Sequence, residues 1–366
     1  MKYYKLNDLC TDIVDCPHTT PDWKNEGIRV VRNFNLKDGN LDFTDGYFVD
    51  EATYLERTKR AIPEEGDIII SREAPMGVVG IVPKGLKCCL GQRLVLLKVN
   101  KGKCDPYYLL NTLMSDFVQT QFKRADATGS IVSNLCIPDL KEIIIPVIES
   151  GQEDVARLLE IINKKQLINN AINDNLEQQI QLIFDYLFPD VCAGNKHMGD
   201  FIIPKRGKSL LSKNAVHGNV PVIAGGLEPS IYHNVANTIA PVVTISSSGA
   251  NAGFVNIWGV PVWSSDSSYI DSEMSRYVYF WYAYLKRHQN NIYNIQTGSA
   301  QPHIYPSHIS SLPITDLDYK KIENYTEIVS PIFSTITKNH VENQHLQSLR
   351  DWLLPMLMNG QATIND

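Results

Sequence analysis

The chain carries nearly the same layout twice, the second copy following the first after roughly 170 residues. Gly66-Asp67-Ile68-Ile69-Ile70-Ser71 runs on through Pro75-Met76-Gly77-Val78-Val79-Gly80. Later, Pro241-Val242-Val243-Thr244-Ile245-Ser246-Ser247 runs on through Asn251-Ala252-Gly253-Phe254-Val255. Thr128-Gly129-Ser130 is matched by Thr297-Gly298-Ser299, and Ile143-Ile144-Ile145-Pro146 by Leu312-Pro313-Ile314. Each half closes on a long helical pattern, at 152–188 and 318–358. A globular unit followed by a helix, twice over, limits the chain to two related heads. It implies a molecule that engages two related things at a set distance.

In the first long pattern Val155, Leu158, Ile162, Ile168, Ile172, Leu176, Ile180, Ile183 and Leu187 recur mostly three or four apart among polar residues. This is an amphipathic helix with a seam narrow enough for a coiled coil, about 55 Å long at 1.5 Å per residue. The second repeats the seam with Ile322, Tyr325, Val329, Ile332, Ile336, Asn339, Asn343, Leu346, Arg350, Leu353 and Leu357. Ser330-Pro331 predicts that a short helix ends there and a longer one restarts, with Ser330 as N-cap. The globular unit between the two helices is long enough to return the chain, so antiparallel pairing of the seams is expected. Asn175, Asn339 and Asn343 either fix the register of that pair, as buried Asn does, or face solvent at its edge.

With 366 residues, 43% of them hydrophobic, each half has material for its own core. A net charge of −6 argues against wholesale coating of nucleic acid, yet leaves room for local basic faces. Seven cysteines, an odd number without a CxxC pair, are the usage of a reducing cytoplasm. Cys10, Cys16 and His18 fit no standard zinc spacing. The polar start and the short apolar runs give neither a signal peptide nor a membrane span, so a cytoplasmic protein is expected.

Strands are expected near 27–32, 67–71, 78–82 and 94–99, then at 220–223, 242–246 and 253–258, where β-branched runs are bounded by Gly, Pro and Lys. Helical spacing marks 50–60, 275–289 and 106–123, the last with Leu109, Leu110, Leu113 and Phe117 on one stripe. The tyrosines at 277, 279, 282 and 284 read as core packing. The units fall at 1–148 and 191–314, with helices at 149–190 and 315–366.

Several strings in this order resemble the specificity subunit of type I restriction–modification enzymes, over essentially the whole chain. They are Asp15-Cys16-Pro17-His18-Thr19-Thr20-Pro21, Ser71-Arg72-Glu73-Ala74-Pro75-Met76-Gly77, Leu90-Gly91-Gln92-Arg93 and the ending Leu349-Arg350-Asp351-Trp352-Leu353-Leu354-Pro355-Met356-Leu357-Met358-Asn359-Gly360-Gln361. The resemblance implies an α+β protein. Two mixed target recognition domains would sit at opposite ends of an antiparallel two-helix coiled coil, with a pseudo-two-fold internal repeat. Each domain would read half of a split, asymmetric site in double-stranded DNA. The helices would set the spacing and dock two methyltransferase subunits, which carry S-adenosylmethionine and flip adenine out of the duplex. A motor-nuclease subunit using ATP and Mg would cleave unmodified DNA. The chain itself would hold no cofactor, metal or catalytic residue. It has no amino-methylase motif and no Walker A loop, and Gly77-Val78-Val79-Gly80 and Gly225-Gly226 read as turns or bulges. A nucleophile cluster of Asp15, Cys16 and His18 has no independent support. A DNA module of another defence system and a protein-binding scaffold are the rival readings.

The candidate DNA-contacting residues are polar groups with basic neighbours. Arg57, Lys59 and Arg60 lie near a helix end and suit phosphate, or a plain solvated face. Arg72 suits DNA or an ion pair with its neighbour Glu73. Gln92 and Arg93 have the chemistry for adenine and guanine edges, or cap strands. Lys123 and Arg124 precede the donor-rich Thr128-Gly129-Ser130 turn. Lys205, Arg206 and Lys208 form the densest basic cluster. Ser248 and Asn251 belong to a small-residue loop that admits close backbone approach to a groove. Gln301 lies in the turn that mirrors the one at 128–130.

Overall fold

The computed structural model describes all residues except 44–45, 74, 127–133, 149–150, 299–300, 359–360 and 362–366. The chain divides into two compact units, Met1–Gln166 with Gln344–Asp366 (unit 1) and Leu167–Asn343 (unit 2).

Unit 1 begins with β1 (Lys2–Lys5), α1 (Leu6–Leu9), β2 (Cys10–Asp15), β3 (Ile28–Val31), β4 (Leu36–Lys37), β5 (Asn40–Leu41), β6 (Phe48–Val49) and α2 (Glu51–Arg57). It continues with β7 (Ile68–Ser71), β8 (Val79–Ile81), β9 (Cys88–Leu90), β10 (Leu94–Val99), α3 (Pro106–Met114), α4 (Asp116–Asp126), α5 (Ile137–Glu142), β11 (Ile144–Val147) and the start of α6 (Gln152–Leu187). An antiparallel sheet has the order β2-β10-β7-β8. A second sheet, β6-β3-β9, pairs β3 antiparallel with β6 and parallel with β9. β1 pairs antiparallel with β11. The strands β7 and β10 are apolar at nearly every position because both faces are covered. Ile68, Ile70, Val95 and Leu97 enter one core, and Ile69, Leu94 and Leu96 enter the other.

Unit 2 holds the rest of α6, then β12 (Lys196–His197), β13 (Lys205–Arg206), β14 (Val220–Ile223), β15 (Ile231–His233), β16 (Val242–Ser246), β17 (Val255–Trp258), β18 (Trp263–Ser264) and β19 (Ser267–Asp271). It goes on with α7 (Val278–Arg287), α8 (Gln289–Asn294), α9 (Pro306–Ser310), β20 (Pro313–Ile314) and α10 (Tyr319–Met358), whose last part belongs to unit 1. Its sheets are β13-β19-β16-β17, β15-β14-β18 and β12-β20, with antiparallel and parallel pairs in the same places as in unit 1. The internal repeat read from sequence is thus a repeat of topology in these three sheets; the antiparallel β4-β5 pair of unit 1 has no counterpart among the described strands of unit 2.

It reaches single bonds. Gly77 and Gly253 both have positive φ, +80° and +85°, which only glycine adopts without strain. Their amides donate to Ser71 O and Ser246 O at 2.9 and 2.7 Å. Gln119 of α4 donates to Gly77 O at 3.1 Å, and Gln289 of α8 donates to Gly253 O at 2.8 Å. Buried Tyr108 and Tyr284 give their hydroxyls to Pro146 O and Pro313 O.

Three expectations are corrected. The stripe at 106–123 is two helices, because extended Ser115 (ψ 150°) interrupts it and bonds back to Thr112 O; Phe117 is therefore exposed. Pro331 does not break the last helix: α10 is continuous from Tyr319 to Met358. Val329 and Phe333 on either side of it are buried in the unit 2 core, and that packing outweighs the amide bond a proline forgoes. In the middle of α6, Ile168 and Ile172 face out at 55% and 42% exposure, while Asn169 and Asn173 are buried. Asn339 donates to Asn173 at 2.8 Å, and Asn169 donates to Asn343 at 2.9 Å. With Phe184 meeting Tyr325 edge to face at 5.6 Å, these contacts make the unit 2 parts of α6 and α10 antiparallel. Asn339 and Asn343 do lie on that seam, where paired amides fix register; Asn175 is exposed. In unit 1 the seam is apolar, with Val155, Ala156 and Leu159 in one core with Leu354 and Leu357.

Candidate nucleic-acid interface

The termini of β2, β3, β7 and β9 and the start of β10 lie at one end of the unit 1 sheets. Backbone bonds knit the loops that leave them. Gly91 N donates to Val31 O at 2.7 Å, Arg72 N to Arg93 O at 2.8 Å, and Leu135 N to Arg72 O at 3.0 Å. Unit 2 repeats all three: Ser265 N to Ile223 O at 2.8 Å, Ser247 N to Asp266 O at 3.1 Å, and Ile304 N to Ser247 O at 2.9 Å. Likewise Cys16 N meets Leu94 O, and Gly207 N meets Ser267 O. These bonds align Asp15 with Arg206, Arg72 with Ser247, and Arg93 with Asp266. The frame is shared while the charges are rearranged.

In unit 1 both oxygens of Asp15 accept from Arg72 Nη1 at 3.0 Å. Arg72 also donates Nε to Leu135 O. The expected ion pair of Arg72 exists, but with Asp15; Glu73 instead meets Arg93 Nε at 3.2 Å. Arg93 is exposed with φ +66°. Gln92 donates to His18 O at 2.7 Å and to Thr20 Oγ1 at 3.2 Å, holding the loop after β2. Arg57 is corrected from surface to interior. It is 8% exposed, and its guanidinium serves the carbonyls of Leu90, Thr19 and Pro17. Lys59 and Arg60 are exposed just past α2, and Lys123 and Arg124 on the last turn of α4. The Thr128-Gly129-Ser130 turn lies outside the described residues.

In unit 2 Arg206 is paired with Asp266 at 2.5 Å, and Ser248 gives its hydroxyl to the same carboxylate. Lys205 and Lys208 are exposed with no carboxylate in ion-pair range among the described residues. Asn251 forms the turn whose carbonyl takes Phe254 N at 3.0 Å. Gln301 is exposed beside Pro302, whose carbonyl accepts from Gly249 N at 3.1 Å. The structure therefore gathers Arg72, Gln92 and Arg93 at one end of unit 1, and Arg206 and Ser248 around Asp266 in unit 2.

Nucleophilic chemistry finds little footing. Burial pushes the Cys16 thiol up, and His18 bonds Asp15 at 3.1 Å. Cys10, Cys88 and Cys104 are pushed up to about 12 by burial. Among the described residues no three His, Cys, Asp or Glu side chains gather as a metal site, and no helix is long and apolar enough to cross a membrane.

The sequence reading missed Arg32, the last residue of the strand expected at 27–32. Its guanidinium lies 4.5 Å from the ring centre of Tyr47, 5.2 Å from that of Phe34 and 5.5 Å from that of Trp23. The aromatics around it are scattered over 23–47 in sequence, so only the fold brings them together.

Residues 1–178 match the family model described as type I restriction modification DNA specificity domain. It is 27% identical over 135 residues to the putative type I restriction enzyme MjaX specificity subunit of Methanocaldococcus jannaschii. That match covers 37% of this chain and 30% of the relative's length. The crystal structure of a type I restriction-modification system S subunit from M. genitalium shares the fold, with a TM-score of 0.54 at 18% identity. The superposition covers 96% of this chain and 94% of that one.

Proposed function

We propose that the chain is the DNA specificity subunit of a type I restriction–modification complex, reading a split, asymmetric target with one unit on each half. The observation that carries this is the shared frame with unlike loops: Asp15, Arg72 and Arg93 in unit 1 stand where unit 2 has Arg206, Ser247 and Asp266. Identical frames suit the same task, and unlike polar edges suit different bases. The recognition domains are taken as 1–148 and 191–314, and the spacer helices as 149–190 and 315–366. Exposed Lys59, Arg60, Lys123, Arg124, Lys205 and Lys208 serve phosphates, which position without specifying. Methylation belongs to two partner methyltransferase subunits with S-adenosylmethionine, and cleavage to a motor-nuclease partner with ATP and Mg. The chain itself contributes recognition in the cytoplasm and no catalysis. Footprinting of the copurified complex on duplex DNA tests this. Two protected patches separated by an unprotected gap are expected; one continuous patch, or none, contradicts it.

A further inference from the structure

Arg32 follows β3 directly, and the bond from Gly91 N to Val31 O fixes its place in the frame. The equivalent bond in unit 2, Ser265 N to Ile223 O, puts Ala224 at that place, followed by Gly225 and Gly226. The same scaffold position thus carries the longest cationic side chain in one unit and a methyl group in the other. Around Arg32 the rings of Trp23 and Tyr47 meet edge to face at 4.7 Å, and Phe34 closes a third side. Trp23 and Phe34 are 38% and 43% exposed, so the cage opens to solvent. No carboxylate lies in ion-pair range of Arg32 among the described residues, whereas Arg72 and Arg93 each have one. The cage is joined to the loop of Arg93: Asn33 donates to Glu73 O, and Glu73 pairs with Arg93.

Aromatic faces hold a guanidinium by its π surface and restrict its rotamers, leaving the edge with its paired N–H donors free. That edge matches guanine O6 and N7 in the major groove. We propose that Arg32, caged by Trp23, Phe34 and Tyr47, reads a guanine in the half-site contacted by unit 1. The proposal rests on the reading of the chain as a DNA specificity subunit.

Selection of bound duplexes from a randomised DNA pool tests it, using the full chain with the subunits that copurify with it, as wild type, Arg32→Ala and Arg32→Lys. The wild type is expected to select a split motif with a guanine in one half. Arg32→Ala should lower the preference for that guanine roughly tenfold, leaving the other half and the gap unchanged. Arg32→Lys, which keeps the charge but loses the fork, should relax the same position. An unchanged motif in Arg32→Ala, or uniformly weaker binding with the motif intact, overturns the proposal and leaves the parent reading standing. Should Arg32→Ala fail to fold, Arg32→Lys decides alone: guanine lost supports the proposal, guanine kept overturns it. A wild-type complex that selects no motif overturns the parent reading and this one with it.

Discussion

Unit 1 and unit 2 are held by the same main-chain bonds and decorated by different side chains. The hairpin glycines, the glutamines that hold them and the tyrosines on the edge prolines coincide. The ion pairs do not. In unit 1 the cation is on β7's loop and the anion on β2; in unit 2 the cation is on β13 and the anion on the loop before β19. A frame built from backbone donors and acceptors asks little of the side chains at its end, so those can diverge without unfolding the unit. Under the proposed function, that separation of scaffold from surface is what would let one chain carry two specificities.

The largest effects should fall alike on both units, where the frame is shared. A Cβ at Gly77 would meet Phe122 at 2.9 Å, and one at Gly253 would meet Ile292 at 2.7 Å, both at positive φ. Gly77→Ala and Gly253→Ala should each cost about 2–4 kcal/mol from left-handed strain and overpacking, read as a lowered urea midpoint. A cost at only one site would break the equivalence of the frames.

Next come the ion pairs, where the units should differ. Arg72 and Asp15 side chains are 13% and 25% exposed, so Arg72→Ala should cost roughly 2–3 kcal/mol. Arg206 and Asp266 are 42% and 36% exposed, and solvent screening limits Asp266→Ala to under about 1 kcal/mol. Equal costs would deny that the two pairs play different parts.

Acid should sharpen the contrast. Burial, aided by the charge of Arg287, holds the His288 imidazole below its ordinary value of 6.5. The unfolded chain then binds the extra proton first, so this contribution is complete above pH 6.5 and declines as the pH falls below it toward the folded value. Unit 1 has only exposed His18 and His345. Thermal unfolding between pH 7.5 and 5.5 should lose stability on acidification, with a shallower slope in His288→Gln; identical slopes would refute the assignment. The smallest effect is on binding. Lys205→Ala should weaken DNA affinity evenly across sequences and reduce the slope of log affinity against log salt by about 1. A change confined to one sequence would make Lys205 a base reader.

The doubling, the strands at 220–223 and 242–246 and the long helices were legible because period and β-branching are local signals. What was not legible depends on contacts distant in sequence. Neither propensity nor spacing says that Arg57 turns inward to three carbonyls, or that Asp15 rather than Glu73 takes Arg72. Pro331 misled because local preference predicts a break that tertiary packing overrides. Asn169 and Asn173 were passed over because apolar Ile168 and Ile172 stand one position away, and buried amides are visible only with their partners. The Arg32 cage, assembled from three separate loop positions, left no mark in the sequence pattern.

The central claim is that two like frames read two unlike half-sites, and mapping N6-methyladenine across the source genome with and without this gene tests it most directly. The account predicts a motif in two different halves, separated by a fixed run of unread bases, that vanishes with the gene. A gene-dependent motif that is a single block or a perfect palindrome, or methylation indifferent to the gene, would contradict it.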